Sequence, residues 1–143
     1  MSQDVAASYD RVPYASLALP QTHPDRMAAV ARIFRLSPPD VAACRVLELG
    51  CAGGGNLIPM AFNLPGSEFV GIDVSPHQDD EARAAIRTLG LKNVRVETAS
   101  TLDIHATWGS SDYIICHGVF SWVEPAVQDR ILAVCAGNLT ADG

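Results

Sequence analysis

The sequence predicts an α/β fold built on a Rossmann-like parallel sheet, and three observations predict it. Short apolar runs alternate with stretches of helical period along the chain. The runs at 46–49 and 113–116 are nearly continuous in apolar character, which is how strands covered on both faces read. A turn of small residues, Gly50-Cys51-Ala52-Gly53-Gly54-Gly55, follows the first run, where it lets the backbone reverse sharply and come close to a ligand. Strand–helix alternation implies right-handed crossovers and a parallel sheet. The expected strand order is 3-2-1-4, with a ligand crevice where the order reverses between the first and fourth strands.

The elements follow in order. Residues 1–20 lack periodicity and carry Tyr9 and Tyr14 among prolines and serines, so they read as an arm. Thr22 is expected to cap the first helix, with Pro24 in its first turn and Asp25 three residues past the cap. Met27, Val30, Ala31 and Phe34 recur at helical spacing, and Ser37-Pro38-Pro39 ends the helix. In the first strand Glu48 interrupts the apolar run. A carboxylate is costly to desolvate without partners, so it is expected to emerge at the strand's carboxyl end. A helix over about 56–63 has to start late, because Pro59 is tolerated only near a first turn. Residues 68–73 form the second strand. Ser75-Pro76-His77-Gln78 reads as a capping box opening a helix that ends at Gly90. A third strand at 93–97, a loop at 98–111 and a fourth strand at 113–116 precede a final helix opened by Pro125, in which Val127, Ile131, Val134, Cys135 and Leu139 share a face.

The 143 residues suit one domain, and a hydrophobic content of 48% supplies a core. Cys44, Cys51, Cys116 and Cys135 form no Cys-x-x-Cys pair, so neither a zinc ribbon nor a redox motif is indicated, and no metal is expected. A net charge of −6 argues against non-specific nucleic-acid binding. Residues 1–4 open no signal peptide and no apolar run reaches the ~18 residues of a membrane span, so a cytoplasmic location is expected.

A dinucleotide-binding loop would place glycine at 50, 52 and 55, but position 52 is Ala. Glu48-x-Gly50-x-x-Gly53-Gly54 after a strand instead resembles motif I of the class I S-adenosylmethionine-dependent methyltransferases. The resemblance implies that Gly50, Cys51, Ala52, Gly53 and Asn56 surround the cofactor and that Glu48 orients its methionine end. Asp73 ends the second strand 25 positions after Glu48 (73 minus 48), where a carboxylate can accept from both hydroxyls of a ribose. An NAD site would want the same residue. The stretch Thr98-Ala99-Ser100-Thr101-Leu102-Asp103 resembles the family's adenine-binding turn. It has Ser100 where the usual acid falls, Thr101 beside it and Leu102 as the apolar cover. Either the Ser100 hydroxyl or the Asp103 carboxylate is then the partner of the adenine amino group.

Residues 112–122 resemble the family's motif IV, whose strand end lies beside the transferable methyl. His117 there is the candidate general base, unless it contributes only its backbone carbonyl. Tyr14, Phe120 and Trp122 are candidates for an aromatic wall near a sulfonium. His23 reads as helix-entry architecture, and His77 and His105 as surface residues. Tyr9-Asp10-x-x-Pro13-Tyr14, Thr22-His23-Pro24-Asp25-Arg26, Asn56-Leu57-Ile58-Pro59-Met60-Ala61 and His117-Gly118-x-x-Ser121-Trp122 narrow the resemblance to bacterial methyltransferases that carry a C-terminal regulatory domain. The arm is then expected to fold over the cofactor crevice. Class I domains have seven strands, and 138–143 reads as the turn before the fifth, so an amino-terminal fragment is expected. The exposed edge of the fourth strand would invite homo-oligomers. Three functions compete: a methyltransferase using S-adenosyl-L-methionine on an unknown acceptor, a non-catalytic module binding that cofactor or S-adenosylhomocysteine, and an NAD-dependent oxidoreductase, which Ala52 disfavours.

Overall fold

The computed structural model describes residues 16–105 and 108–143. Strands β1 (Arg45–Leu49), β2 (Glu68–Asp73), β3 (Val94–Thr98) and β4 (Tyr113–Ile115) form one parallel sheet in the order β3-β2-β1-β4. The expected order is the observed one. Helices α1 (Pro24–Ile33), α2 (Leu57–Asn63), α3 (Pro76–Leu89) and α4 (Pro125–Asn138) supply the cover.

Side-chain alternation along β1 divides the core into two layers. Val46 packs with Phe69 and Val96 beneath Leu57, Ile58 and Met60 of α2 and Ala82 of α3. Leu47 and Leu49 pack with Val70 and Ile72 on the opposite face, against Val127, Ile131 and Val134 of α4. Central strands covered on both sides need apolar residues at successive positions, which explains the near-continuous runs. Beyond β4, Ser111 pairs in parallel with Leu139, through Ser111 N–H to Asn138 O at 2.7 Å and Thr140 N–H to Ser111 O at 3.0 Å.

Local chemistry explains most of the boundaries. Pro59 is the third residue of α2 and so falls in its first turn. Gly90 caps α3 at φ +67°, a left-handed position that glycine occupies without a Cβ penalty. Three details differ from the expectation. The cap of α1 is His23, whose Nδ1 accepts from Asp25 N–H at 3.2 Å, and not Thr22. The Thr22 hydroxyl lies in a preceding 3-10 turn (Pro20–Thr22), where it donates to Leu19 O and is buried against Asn56. On α1 the buried residues are Pro24 and Ala28 and the partly buried Met27 packs on the core, whereas Val30 and the C-cap Phe34 are 48% and 73% exposed, so the packed face is narrower than expected. β3 begins and ends one residue later than expected, and β4 ends at Ile115, leaving Cys116 outside the strand.

All four cysteines are free. Among the described residues, no helix is long and apolar enough to cross a membrane.

Candidate functional site

The turn after β1 is held by backbone donors. Gly50 N–H and Cys51 N–H both reach Ile72 O at 2.9 Å, which bends the chain over the end of β2. Gly50 has φ +76°, and a Cβ there would lie 2.4 Å from Val119 Cγ2, so only glycine permits this approach to the chain beyond β4. Gly55 N–H donates to Ser16 Oγ at 2.7 Å. A Cβ at Gly55 would lie 2.3 Å from Ser16 O, so the segment from Ser16 passes directly over the turn. Ala52 adopts φ +48°, a left-handed conformation that costs a non-glycine residue free energy.

Asp73 fastens two loops at once. Its Oδ2 accepts from Ala52 N–H at 2.9 Å and its Oδ1 from Ser75 N–H at 3.0 Å. A carboxylate has about four lone-pair positions, so each oxygen can still accept one further bond.

These turns border a cavity of about 440 Å³ at the carboxyl ends of the strands. Six of the sequence-nominated residues line it: Gly50, Ala52, Asp73, Ser100, Thr101 and His117. Trp122 borders it too, although its side chain is 80% exposed. Apolar residues Ile72, Val74, Ala99, Val119, Val123 and Val127 complete the walls, along with Gly118 and Gln78. The valines and Gln78 carry no sequence signal for a ligand, since strand ends, loops and helix starts use the same residues for packing and capping.

Glu48, Cys51, Gly53, Asn56 and Leu102 do not line the cavity. Tyr14 lies outside the described residues. Cys51 turns its sulfur toward the sheet, where a Cβ on Gly71 would meet it at 2.6 Å, and burial pushes its thiol pKa far up. Leu102 is 37% exposed on a 3-10 turn (Thr101–Asp103) that Ser100 and Asp103 cap reciprocally. Ser100 Oγ accepts from Leu102 N–H, and Asp103 Oδ2 accepts from Ser100 N–H, both at 3.2 Å. Of the two candidate adenine partners only Ser100 reaches the cavity wall. Phe120 is absent from that wall as well.

Glu48 is buried inside β1 and does not emerge at its end, because Asn56 gives it a partner there. Asn56 Nδ2 donates to Glu48 Oε1 at 2.7 Å and also to Thr22 Oγ1 at 3.0 Å, and Asn56 Oδ1 accepts from Leu19 N–H at 2.9 Å. Burial raises the Glu48 pKa from 4.5 to about 7, with the Asn56 hydrogen bond opposing the rise. Its Oε2 is buried without a partner among the described residues.

His117 lies two residues beyond β4 with its side chain exposed at the cavity. The other histidines stand elsewhere: His23 caps α1, His77 faces Glu81 at 3.6 Å, and His105 contacts Arg130 on the surface.

The methyltransferase-domain family profile matches residues 47–143, which take in the end of β1, the glycine turn, Asp73 and every other residue lining the cavity. The chain belongs to the methyltransferase-domain family. This methyltransferase domain is 47% identical over 135 residues to the uncharacterized protein RP789 of Rickettsia prowazekii, covering 94% of the chain and 24% of that protein. It is 38% identical to RP028 of the same organism, covering 95% of the chain and 54% of RP028. Its structure superposes on PKMT2 from Rickettsia typhi, solved in complex with AdoHcy, with a TM-score of 0.89 and 36% identity. That match covers 92% of this chain and 25% of PKMT2. The chain thus spans between about a quarter and a half of these three relatives.

Proposed function

We propose that this methyltransferase domain binds S-adenosyl-L-methionine in the cavity and transfers its methyl group to an acceptor that enters beside His117. Asp73 carries the reading: it ends β2 at the cavity wall, and each of its oxygens keeps a position free after fastening the two loops. Those positions suit two vicinal hydroxyls. Similarity to a protein solved with AdoHcy supports the same ligand class.

Bound there, S-adenosyl-L-methionine would supply a sulfonium-bound methyl open to attack by a nucleophile. The chain's part is mainly positioning, which supplies ~7 to 11 kcal/mol in well-oriented intramolecular models. Gly50 and Ala52 of the turn border the ligand, and Asp73 holds the ribose. The exposed Trp122 ring offers a π face to positive charge at the mouth. An imidazole nitrogen of His117 takes the proton that the acceptor loses.

Calorimetry with S-adenosylmethionine, S-adenosylhomocysteine and NAD tests the reading. The first two are expected to bind and NAD is not. Asp73→Ala is expected to cost ~1.5 to 3 kcal/mol of S-adenosylhomocysteine affinity, as for hydrogen bonds to a charged group. Tight NAD binding without a response to S-adenosylhomocysteine overturns the proposal. His117→Gln is expected to preserve S-adenosylhomocysteine affinity while lowering methyl transfer. If no transfer is found with any acceptor, the domain is a binding module only.

A further inference from the structure

Gln78 sits in the first turn of α3, where Ser75 Oγ accepts from Gln78 N–H at 3.2 Å. That is one half of a capping box. The other half would be a bond from Ser75 N–H to the Gln78 carboxamide, but Asp73 Oδ1 already takes that N–H at 3.0 Å. The carboxamide is thereby released from its capping role. Gln78 is only 3% exposed, and its amide oxygen is buried without a hydrogen-bond partner among the described residues. An acceptor left in that state costs stability, and native structures contain few of them. Gln78 borders the cavity together with Asp73, Val74, Ala99 and Ser100, so a ligand in the cavity can provide what the fold withholds.

A carboxamide presents a donor and an acceptor side by side. Adenine presents the complement, an amino donor next to a ring-nitrogen acceptor, which is why glutamine and asparagine pair with it in two-bond fashion elsewhere. We propose that Gln78 is a specificity-determining residue of this site, its carboxamide reading the amino-bearing edge of the adenine base. The proposal rests on the cavity being a site for an adenosyl ligand.

The test compares the chain with Gln78→Met, a variant of similar length without the amide. Both are titrated by calorimetry with S-adenosylhomocysteine and with its hypoxanthine counterpart, and both are melted without ligand. The unaltered chain is expected to prefer the adenine ligand. Gln78→Met is expected to weaken S-adenosylhomocysteine about tenfold, the loss of roughly one good hydrogen bond. It should leave the hypoxanthine ligand nearly unchanged, so that the preference collapses, and should not lower the melting temperature. Gln78→Leu gives the same comparison if Met packs poorly. Unchanged S-adenosylhomocysteine affinity in the variant, or equal losses for both ligands with a lower melting temperature, overturns the role of Gln78 while leaving the binding proposal intact. An unaltered chain that binds neither ligand overturns both.

Discussion

On one side of the β1 turn, Glu48, Asn56 and Thr22 bond to one another and to Leu19, and they tie the segment before α1 to the strand. On the other side, Asp73 and Gln78 stand at the wall of an open cavity with bonding positions still free. Both groups are polar and largely shielded from water, yet the first is used up by the fold and the second is not. Buried polar groups normally find partners, so those that have spent their capacity explain architecture and those that have not point to a ligand. Glu48 belongs to both sides, since Oε1 is bonded inside and Oε2 is not.

The largest effect expected to separate the two regions is on stability against pH. Burial holds the Glu48 carboxyl at about 7 in the folded chain, against an ordinary 4.5. Between those values the folded state binds more protons than the unfolded state, so stability falls as pH rises from about 4.5 to about 7 and levels off above. The difference between 4.5 and 7 corresponds to on the order of 3 kcal/mol, present at the acid end of the window. Burial also raises the Asp79 carboxyl and adds an effect of the same sign. Urea melts between pH 5 and 8 check this, and a midpoint that rises with pH would show that Glu48 is ionised at little cost.

Asn56→Ala is next in size. It removes the bond to Glu48 and the anchor of Leu19, with a loss of about 2 kcal/mol expected in urea melts. Unchanged stability would mean that the network is spare. Ala52→Gly is smaller and opposite in sign: relief of the left-handed strain is expected to add ~1 kcal/mol or less, because glycine also loses more freedom on folding. A fall in stability would show that the methyl of Ala52 packs usefully at the cavity. The weakest effect expected is concentration-dependent association through the outer edge of β4, where Ser111 and Leu139 make a single bridge. Light scattering across a dilution series checks it, and a monomer at every concentration removes the edge as a contact.

The strand order, the four strands and the glycine turn were legible because each leaves a local trace. Apolar runs mark covered strands, Pro76 and Gly90 bracket α3, and Ala52 distinguishes this turn from a dinucleotide loop. Gly50, Ala52, Asp73, Ser100, Thr101 and His117 line the cavity together because they lie at or just beyond strand ends, and strand ends in such a sheet converge on one edge. What misled was competition for single hydrogen-bonding groups. The sequence offers Thr22 as a cap, but its hydroxyl is engaged with Leu19 and Asn56 and His23 takes the position. It offers Ser75 and Gln78 as a reciprocal box, and Asp73 breaks the reciprocity.

The sequence by itself determined the parallel sheet, its order and the edge at which the site forms, because periodicity and turn chemistry act over a few residues at a time. Only the tertiary structure decided which polar groups were free. Whether Glu48 is buried or emergent, and whether Gln78 caps a helix or faces a cavity, depends on Asn56 and Asp73, which reach those positions through the folding of separate segments. Each N–H carries one proton to donate, and the assignment of that proton is settled by the nearest acceptor in space.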